Sequence, residues 1–567
     1  MGPGTSPLLS QQRNLDEQIN NSDPKFEQKS KKNNSSSLAP IITEQPTYEN
    51  ESKAPLTSPL KPEDVTIDIA NVKETPLKES KVDANISIRV EGNQFRDLKG
   101  RQVLLRGVNV SGSAKMPTTP LGSTHLKKNL FKNVESVDFV GRPFPLDECN
   151  AHFRRLRCWG FNYIRLVITW EAIEHRGPGL YDEKYIKYLR EVARIAGEND
   201  IYIYVDPHQD VWSRFTGGCG APAWTLELAG FDLQNMGETG ACITQQEYDP
   251  SPDAFPLMLW PTNLYKLACA TMFTLFWSGK DFAPKLNVGE GGCRVEKLSC
   301  IKLAAGVRGE PDDQKQQGEE KEIKLPPGTR TVVSKPTNIQ DYLQGCYIAA
   351  MRAVAKELRG LPNVLGFGTM NEPHNGYHGL TNLNSVWGQL TNGVFPTPFQ
   401  SFCAADGMAT KGRECVWKMH GVWEMKGTSK AGPQNPGSPV LNKPGYFNNG
   451  KDWSTTYYLP FAQRSKKIGI ATLRSPQPVL LQESNFLGYE IPNAVNATHW
   501  YDGFSLFSGN LQINWNVDVE TAIPKFGACS VRAMFKVIIC SFFVVNSVSV
   551  IQLWISRCIS MYVEINS

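Results

Sequence analysis

Apolar strands alternate with amphipathic helices along the middle of the chain, and this alternation constrains the fold more than any other feature. Residues 161–170 and 201–205 have the pattern of strands buried on both sides, and residues 182–196 between them place apolar side chains at helical spacing. A second amphipathic helix over 339–358 leads into another apolar run at 364–369. Strands joined by helices form parallel sheets, so the pattern predicts an α/β protein.

The same strands end in polar side chains, which favours a (β/α)8 TIM barrel, because such barrels carry their chemistry at the carboxyl ends of the strands. We count about six of the eight strands, so the predicted barrel is incomplete. The six predicted strands are residues 107–112, 161–170, 201–205, 364–369, 478–483 and 494–501.

Two long excursions interrupt the barrel, at about 217–337 and 379–477, and both are rich in aromatic residues. These rings could line the barrel mouth and bind sugar rings or a hydrophobic aglycone, or they could form small cores of their own. The rings in question are Trp224, Phe255, Trp260, Phe273, Phe276, Trp277, Trp387, Trp417, Trp423 and Trp453.

Composition sets the domain boundaries. Residues 1–84 are rich in Ser, Asn, Lys, Glu and Pro and are predicted to be a disordered leader. The barrel domain is expected over 85–536. It opens with a hairpin in which 86–90 and 102–106 flank a turn, and it carries a polar, solvated insertion at about 285–335.

Residues 537–567 form an aberrant apolar tail that can be interpreted in three ways. It has about the length of a membrane anchor, it could pair as a substitute strand, or it is translated non-coding sequence, which we favour because the change of character falls within the fold.

The overall composition excludes several classes of protein. A net charge of +4 over 567 residues does not favour a nucleic-acid partner. The 13 cysteines lack Cys-x-x-Cys pairs and metal-ligand spacing. No charged and then apolar segment opens the chain, so we expect no signal peptide and a cytoplasmic location, with peripheral membrane contact left open.

Polar side chains at the predicted strand ends form a candidate site. Glu372 directly follows an apolar strand and precedes a proline, so its carboxyl lies where a general acid of a barrel enzyme would lie. A sugar substrate requires several directional partners, and the other strand ends supply them. These candidates are Arg165, His208, Asp210, Asn371, His499 and Tyr501.

Four phrases of the sequence resemble glycoside hydrolase family 5, in particular its fungal branch of glucosylceramidases and steryl β-glucosidases. The resemblance implies a (β/α)8 barrel with Glu372 as acid/base and Asn371 near the sugar 2-hydroxyl. It implies that Arg165, His208, His499 and Tyr501 shape a glucose subsite. It also implies that the substrate is a glucoside or glycolipid with a lipid aglycone, with no cofactor and no metal. The phrases lie at residues 105–112, 206–218, 366–373 and 499–503.

The sequence departs from the family pattern at its C-terminal side. The family's nucleophile is a Glu at the end of strand seven, in a phrase of the type Gly-Glu-(aromatic or small)-Gly-Ile-Pro-Phe that the sequence does not contain, so we assign none. Glu483 and Glu520 do not match its position. The expectation is a retaining O-glycosyl hydrolase of β-glucosidase type, with a catalytically dead glycolipid-binding protein as the alternative. The oligomeric state stays open.

Overall fold

The computed structural model describes residues 88–91, 94–120, 130–131, 134–245, 259–288, 337–388, 395–407, 414–427 and 437–467, and the backbone of strands at 301–303, 472–474, 495–496, 515–517 and 524–526. The predicted leader 1–84 and tail 537–567 lie outside these ranges. So do His499, Tyr501, the predicted fifth strand at 478–483 and most of the polar insertion. The domain boundaries therefore stay predictions.

Sixteen strands and nine α-helices lie in the described part of the chain. The strands are β1 (Ile88–Glu91), β2 (Gln94–Asp97), β3 (Gln102–Val103), β4 (Gly107–Val110), β5 (Tyr163–Thr169), β6 (Tyr202–His208), β7 (Leu286–Val288), β8 (Ile301–Leu303), β9 (Thr337–Asn338), β10 (Val364–Gly368), β11 (Trp423–Lys426), β12 (Ser438–Leu441), β13 (Thr472–Arg474), β14 (Val495–Asn496), β15 (Trp515–Val517) and β16 (Pro524–Phe526). The helices are α1 (Leu146–Cys158), α2 (Trp170–Glu174), α3 (Glu183–Glu198), α4 (Ala223–Leu228), α5 (Leu267–Phe282), α6 (Ile339–Glu357), α7 (Pro398–Ala405), α8 (Val416–Met419) and α9 (Leu459–Lys467).

Six parallel strands form the main sheet, in the order β4-β5-β6-β10-β13-β14. Each strand lies beside its successor among the six, which is the order of a (β/α)8 barrel and not of a doubly wound sheet. The barrel is incomplete, because the described strands do not close it. The predicted fold class is confirmed. The fifth strand of the sheet is Thr472–Arg474, ahead of the predicted run at 478–483.

Helix α3 illustrates how the sequence specifies the barrel wall. The Asp182 side chain accepts hydrogen bonds from the backbone amides of Lys184 and Tyr185, which fixes the start of the helix. The apolar side chains at helical spacing then face the sheet and are buried. The buried residues of this helix are Tyr185, Ile186, Tyr188, Leu189, Val192, Ala193 and Ala196.

The N-terminal hairpin differs from its prediction. Residues 88–91 pair with β2, and β2 pairs with β3, so a third strand lies between the two predicted arms. The alternation in Gln94–Asp97 is short and polar, and the sequence analysis overlooked it as a strand. This small sheet covers the amino ends of the barrel strands, where Ile88 and Leu105 pack against Tyr163 and Tyr204.

The aromatic residues of the excursions lie mainly in the protein core. Trp277, Trp417 and Trp423 are fully buried, and Trp453 is nearly so. Trp277 packs edge-on against Trp453 and Phe461. The buried rings of the excursions therefore pack into the same core as the barrel strands and helices, while Trp387 remains partly exposed.

Leu286 and Val288, at the start of the predicted polar insertion, belong to β7 and are buried. This strand pairs with β8 and β9. In the ranges that the structure describes, no helix has the length and apolar character needed to cross a bilayer.

Candidate active site

Three neighbouring strands, β5, β6 and β10, bring charged and polar side chains together near their carboxyl ends. From β5, the guanidinium of Arg165 donates through Nη2 to Oδ1 of Asn371 at 2.6 Å. The same nitrogen lies 2.9 Å from Oδ2 of Asp206 on β6. Arg165 and Asn371 are buried, and Asp206 has no exposed surface, so these contacts are shielded from water.

His208 lies between two carboxylates. Its Nδ1 is 2.7 Å from Oδ2 of Asp206, and its Nε2 is 3.2 Å from Oδ2 of Asp210. Asp206 and His208 share one face of β6 because they are two residues apart. With an acceptor at each ring nitrogen, the doubly protonated imidazolium is favoured.

Lys115, which lies in the short helical turn after β4, completes the charged cluster. Its Nζ lies 2.7 Å from Oδ2 of Asp210. Burial raises the pKa of Asp210, but Lys115 and His208 outweigh this effect and hold it well below its usual range. For His208, burial and the Lys115 ammonium lower the pKa, and the carboxylates of Asp210 and Asp206 more than compensate, so the net direction is upward.

The turn after β10 carries the candidate acid. Asn371 donates from Nδ2 to the Gln209 carbonyl at 2.9 Å and from its backbone amide to the Pro207 carbonyl at 3.0 Å. Glu372 is partly exposed and has a left-handed backbone with φ of 36°. Its carboxyl thus belongs to an anchored turn at the carboxyl end of a barrel strand.

Five of the seven predicted site residues belong to this arrangement. Four of them, Arg165, His208, Asp210 and Asn371, are linked through Asp206 in one chain of contacts, and Glu372 follows Asn371 directly. His499 and Tyr501 lie outside the described residues, and their roles stay predictions.

The sequence is similar to those of known glycosidases. Residues 124–233 match the family model described as Cellulase (glycosyl hydrolase family 5). The glucosylceramidase of Rhizopus delemar is 36% identical over 77% of this chain and 62% of its own length. The ergosteryl-beta-glucosidase of Saccharomyces cerevisiae is 34% identical over 78% of this chain and 61% of its own length. This chain is thus similar to glycosyl hydrolase family 5.

A solved structure has a similar fold. Sterylglucosidase 1 of Cryptococcus neoformans superposes with a TM-score of 0.64 at 26% identity, covering 81% of this chain and 68% of that chain. The glucosylceramidase of Aspergillus fumigatus, 33% identical, is matched over 76% of this chain and 58% of its own length. The chain thus spans about three fifths of the length of these three curated relatives, from Aspergillus fumigatus, Rhizopus delemar and Saccharomyces cerevisiae.

Three residues of the candidate site were not identified from the sequence. They are Lys115, Asp206 and Gln209. Asp206 could have been found, since a carboxylate two residues before His208 in a strand must share its face. No sequence pattern indicated Lys115, because a short 3₁₀ helix such as Gly112–Lys115 has no clear hydrophobic period. Gln209 acts on backbone atoms, which side-chain patterns do not reveal.

One group of described residues has the ligand types of a metal site, namely His208, Asp210 and Cys219. The Lys115 ammonium already lies against the shared Asp210 oxygen. Burial raises the pKa of the Cys219 thiol well above its usual range, which disfavours the thiolate that a metal would need. We therefore assign His208, Asp210 and Cys219 to an ion-pair cluster with Lys115, and not to a metal site.

Replacement of Lys115 by Met should raise the pKa of His208 further. The ammonium is one of the groups that lower it, and the facing carboxylates of Asp206 and Asp210 remain. The measurement is a pH titration of the histidine Cε1–H signals by NMR, with His208→Gln identifying the signal. An unchanged or lower pKa in Lys115→Met would contradict the described charge arrangement.

His374, two residues after Glu372, should make stability depend on pH. Burial lowers its pKa from about 6.5 to about 4. The unfolded chain therefore binds a proton between these values while the folded chain does not, and stability falls as pH decreases from about 6.5 to about 4, by about 3 kcal/mol in total. Urea unfolding at several pH values measures this, and His374→Asn should flatten the slope in that window. An equal slope in the variant would rule His374 out.

Proposed function

We propose that this chain is a retaining β-glucosidase acting on glucosides with a lipid aglycone, either steryl glucosides or glucosylceramide. One observation carries the proposal. Asn371, which precedes Glu372, is hydrogen-bonded to Arg165, and Arg165 contacts the Asp206–His208 pair at the same end of the barrel. The names of the relatives, glucosylceramidase and ergosteryl-beta-glucosidase, support the substrate class.

In the proposed reaction, Glu372 protonates the glycosidic oxygen as the bond between that oxygen and the anomeric carbon breaks. It then removes a proton from the water that releases glucose. Asn371, held by Arg165, presents its amide beside the acid. Lys115, Asp210 and His208 offer charged partners to sugar hydroxyls, a role that resemblance to the family implies for His208.

Retention of configuration also requires a second carboxylate, about 5–5.5 Å from the first. We assign no described residue to this role, since Asp206 and Asp210 both lie in ion pairs. That the strand-seven nucleophile is missing from the sequence stays a prediction.

The alternative, a non-catalytic glycolipid-binding protein, gains no support from the relatives, which are named as glycosidases. A cytoplasmic location and peripheral membrane contact stay predictions.

The test is incubation of the purified chain with ergosteryl β-glucoside and with glucosylceramide in detergent, with glucose release measured. We expect release from at least one of them and none from the matching α-glucoside. Binding of both lipids without any release would favour the glycolipid-binding alternative and overturn the proposal.

A further inference from the structure

Gln209 lies directly after β6, and its buried side chain joins two loops of the candidate site. Its Nε2 donates to the carbonyl oxygens of Asn371 at 2.7 Å and Glu372 at 2.9 Å. Its Oε1 accepts from the backbone amide of Trp212 at 3.0 Å. Both donor hydrogens and the acceptor of this carboxamide are thus engaged with backbone.

The two bonds from Nε2 depend on an unusual backbone at Glu372. Successive carbonyls of an extended strand point to opposite sides, so one amide group cannot reach both. With φ of 36° the backbone at Glu372 is not extended, and Gln209 binds both carbonyls. The left-handed backbone and the double hydrogen bond therefore occur at the same turn.

The other loop held by Gln209 is strained as well. Val211 and Trp212 have φ of 46° and 79°, values that β-branched and bulky residues rarely adopt. Such conformations persist only where the surroundings fix them, and they cluster at functional sites. In return, Asn371 donates from Nδ2 to the Gln209 carbonyl, so the two loops are bonded in both directions.

We propose that Gln209 is a positioning residue for Glu372. By fixing the backbone on both sides of the Glu372 Cα, its carboxamide sets the position from which the carboxyl delivers its proton to the leaving oxygen. The inference rests on the proposed function of Glu372 as acid/base, and it adds a residue that does not touch the substrate.

The test compares two glucosides in the purified full chain and its variants. Octyl β-glucoside releases an alkoxide that needs a proton, whereas 2,4-dinitrophenyl β-glucoside releases a stabilised phenolate that does not. In Gln209→Met, a change that keeps side-chain length and removes both donors, we expect kcat/KM for the octyl glucoside to fall by about 10-fold to 100-fold. The kcat/KM for the dinitrophenyl glucoside reports only the step in which the phenolate leaves, before water is activated, and should fall far less.

Gln344 offers a matched control. It is buried and donates from Nε2 to the Phe276 carbonyl at 2.7 Å, away from the candidate site. Gln344→Met should lose stability to a similar extent and keep the wild-type ratio between the two substrates. A Gln209→Met variant that slows both substrates equally, or neither, would overturn the positioning role.

A crystal structure of Gln209→Met decides the matter independently of activity. We expect the Asn371 and Glu372 carbonyls to turn away from each other and Glu372 to leave the left-handed region. An unchanged turn would overturn the proposal. If the wild-type chain hydrolyses neither glucoside, the proposed function fails, and the crystal structure still tests whether Gln209 holds the turn.

Discussion

Replacement of Glu372 by Gln should lower hydrolysis of an alkyl or steryl β-glucoside by about 10²-fold to 10⁴-fold, the usual contribution of a general acid/base. The amide has the shape of the carboxyl but neither delivers nor removes a proton. Because Asn371 and the ion-pair cluster remain in place, the affinity for the glucoside should change little. The measurement is glucose release together with binding of the substrate by calorimetry.

Glu183→Gln provides the matched control for this experiment. Glu183 is an exposed carboxylate in the first turn of α3, where it pairs with Lys187, and its variant should retain wild-type turnover. Full activity in Glu372→Gln would assign the acid to another residue. Loss of substrate binding as well as turnover would indicate a disturbed fold.

Removal of Glu171 should be the most destabilising single change that the structure identifies. Its carboxylate, on α2, accepts from Nε of Arg214 at 2.7 Å, and both side chains are almost fully buried. Arg214 also donates to the Leu130 carbonyl at 3.1 Å. Glu171→Leu leaves a buried cation without its carboxylate, which costs about 3–5 kcal/mol. Urea unfolding measures the loss.

The double variant Glu171→Leu/Arg214→Met separates the cost of the unpaired charge from other effects. Replacement of a buried ion pair by apolar side chains of similar size is often neutral or stabilising. We therefore expect the double variant to regain most of the lost stability. A double variant as unstable as the single one would show that the cost arises from packing.

Much of the barrel could be predicted from the sequence, because its signals are local. Strand β5 is apolar on both faces apart from Arg165 and is followed by the capped helix α3, and Glu372 lies at the end of an apolar run. Polar residues that end neighbouring parallel strands are predicted to meet, and in the structure Arg165 and His208 contact the same carboxylate, that of Asp206.

The rest depended on contacts between segments distant in sequence. Lys115 reaches Asp210 across 95 residues, and Gln209 reaches the Glu372 carbonyl across 163 residues. Neither pattern nor composition encodes such pairs. Composition also could not decide whether Trp417 and Trp423 face a ligand or a core, since both environments accept an indole ring. The structure places both in the core.

The stereochemistry of the released glucose tests the central claim most directly. The purified chain is mixed with a β-glucoside at high concentration, and the anomeric proton is followed by NMR during the first minutes. A retaining β-glucosidase releases β-glucose first, and the α-anomer appears only as the free sugar mutarotates. Initial release of α-glucose, or no release by folded protein, would contradict the account.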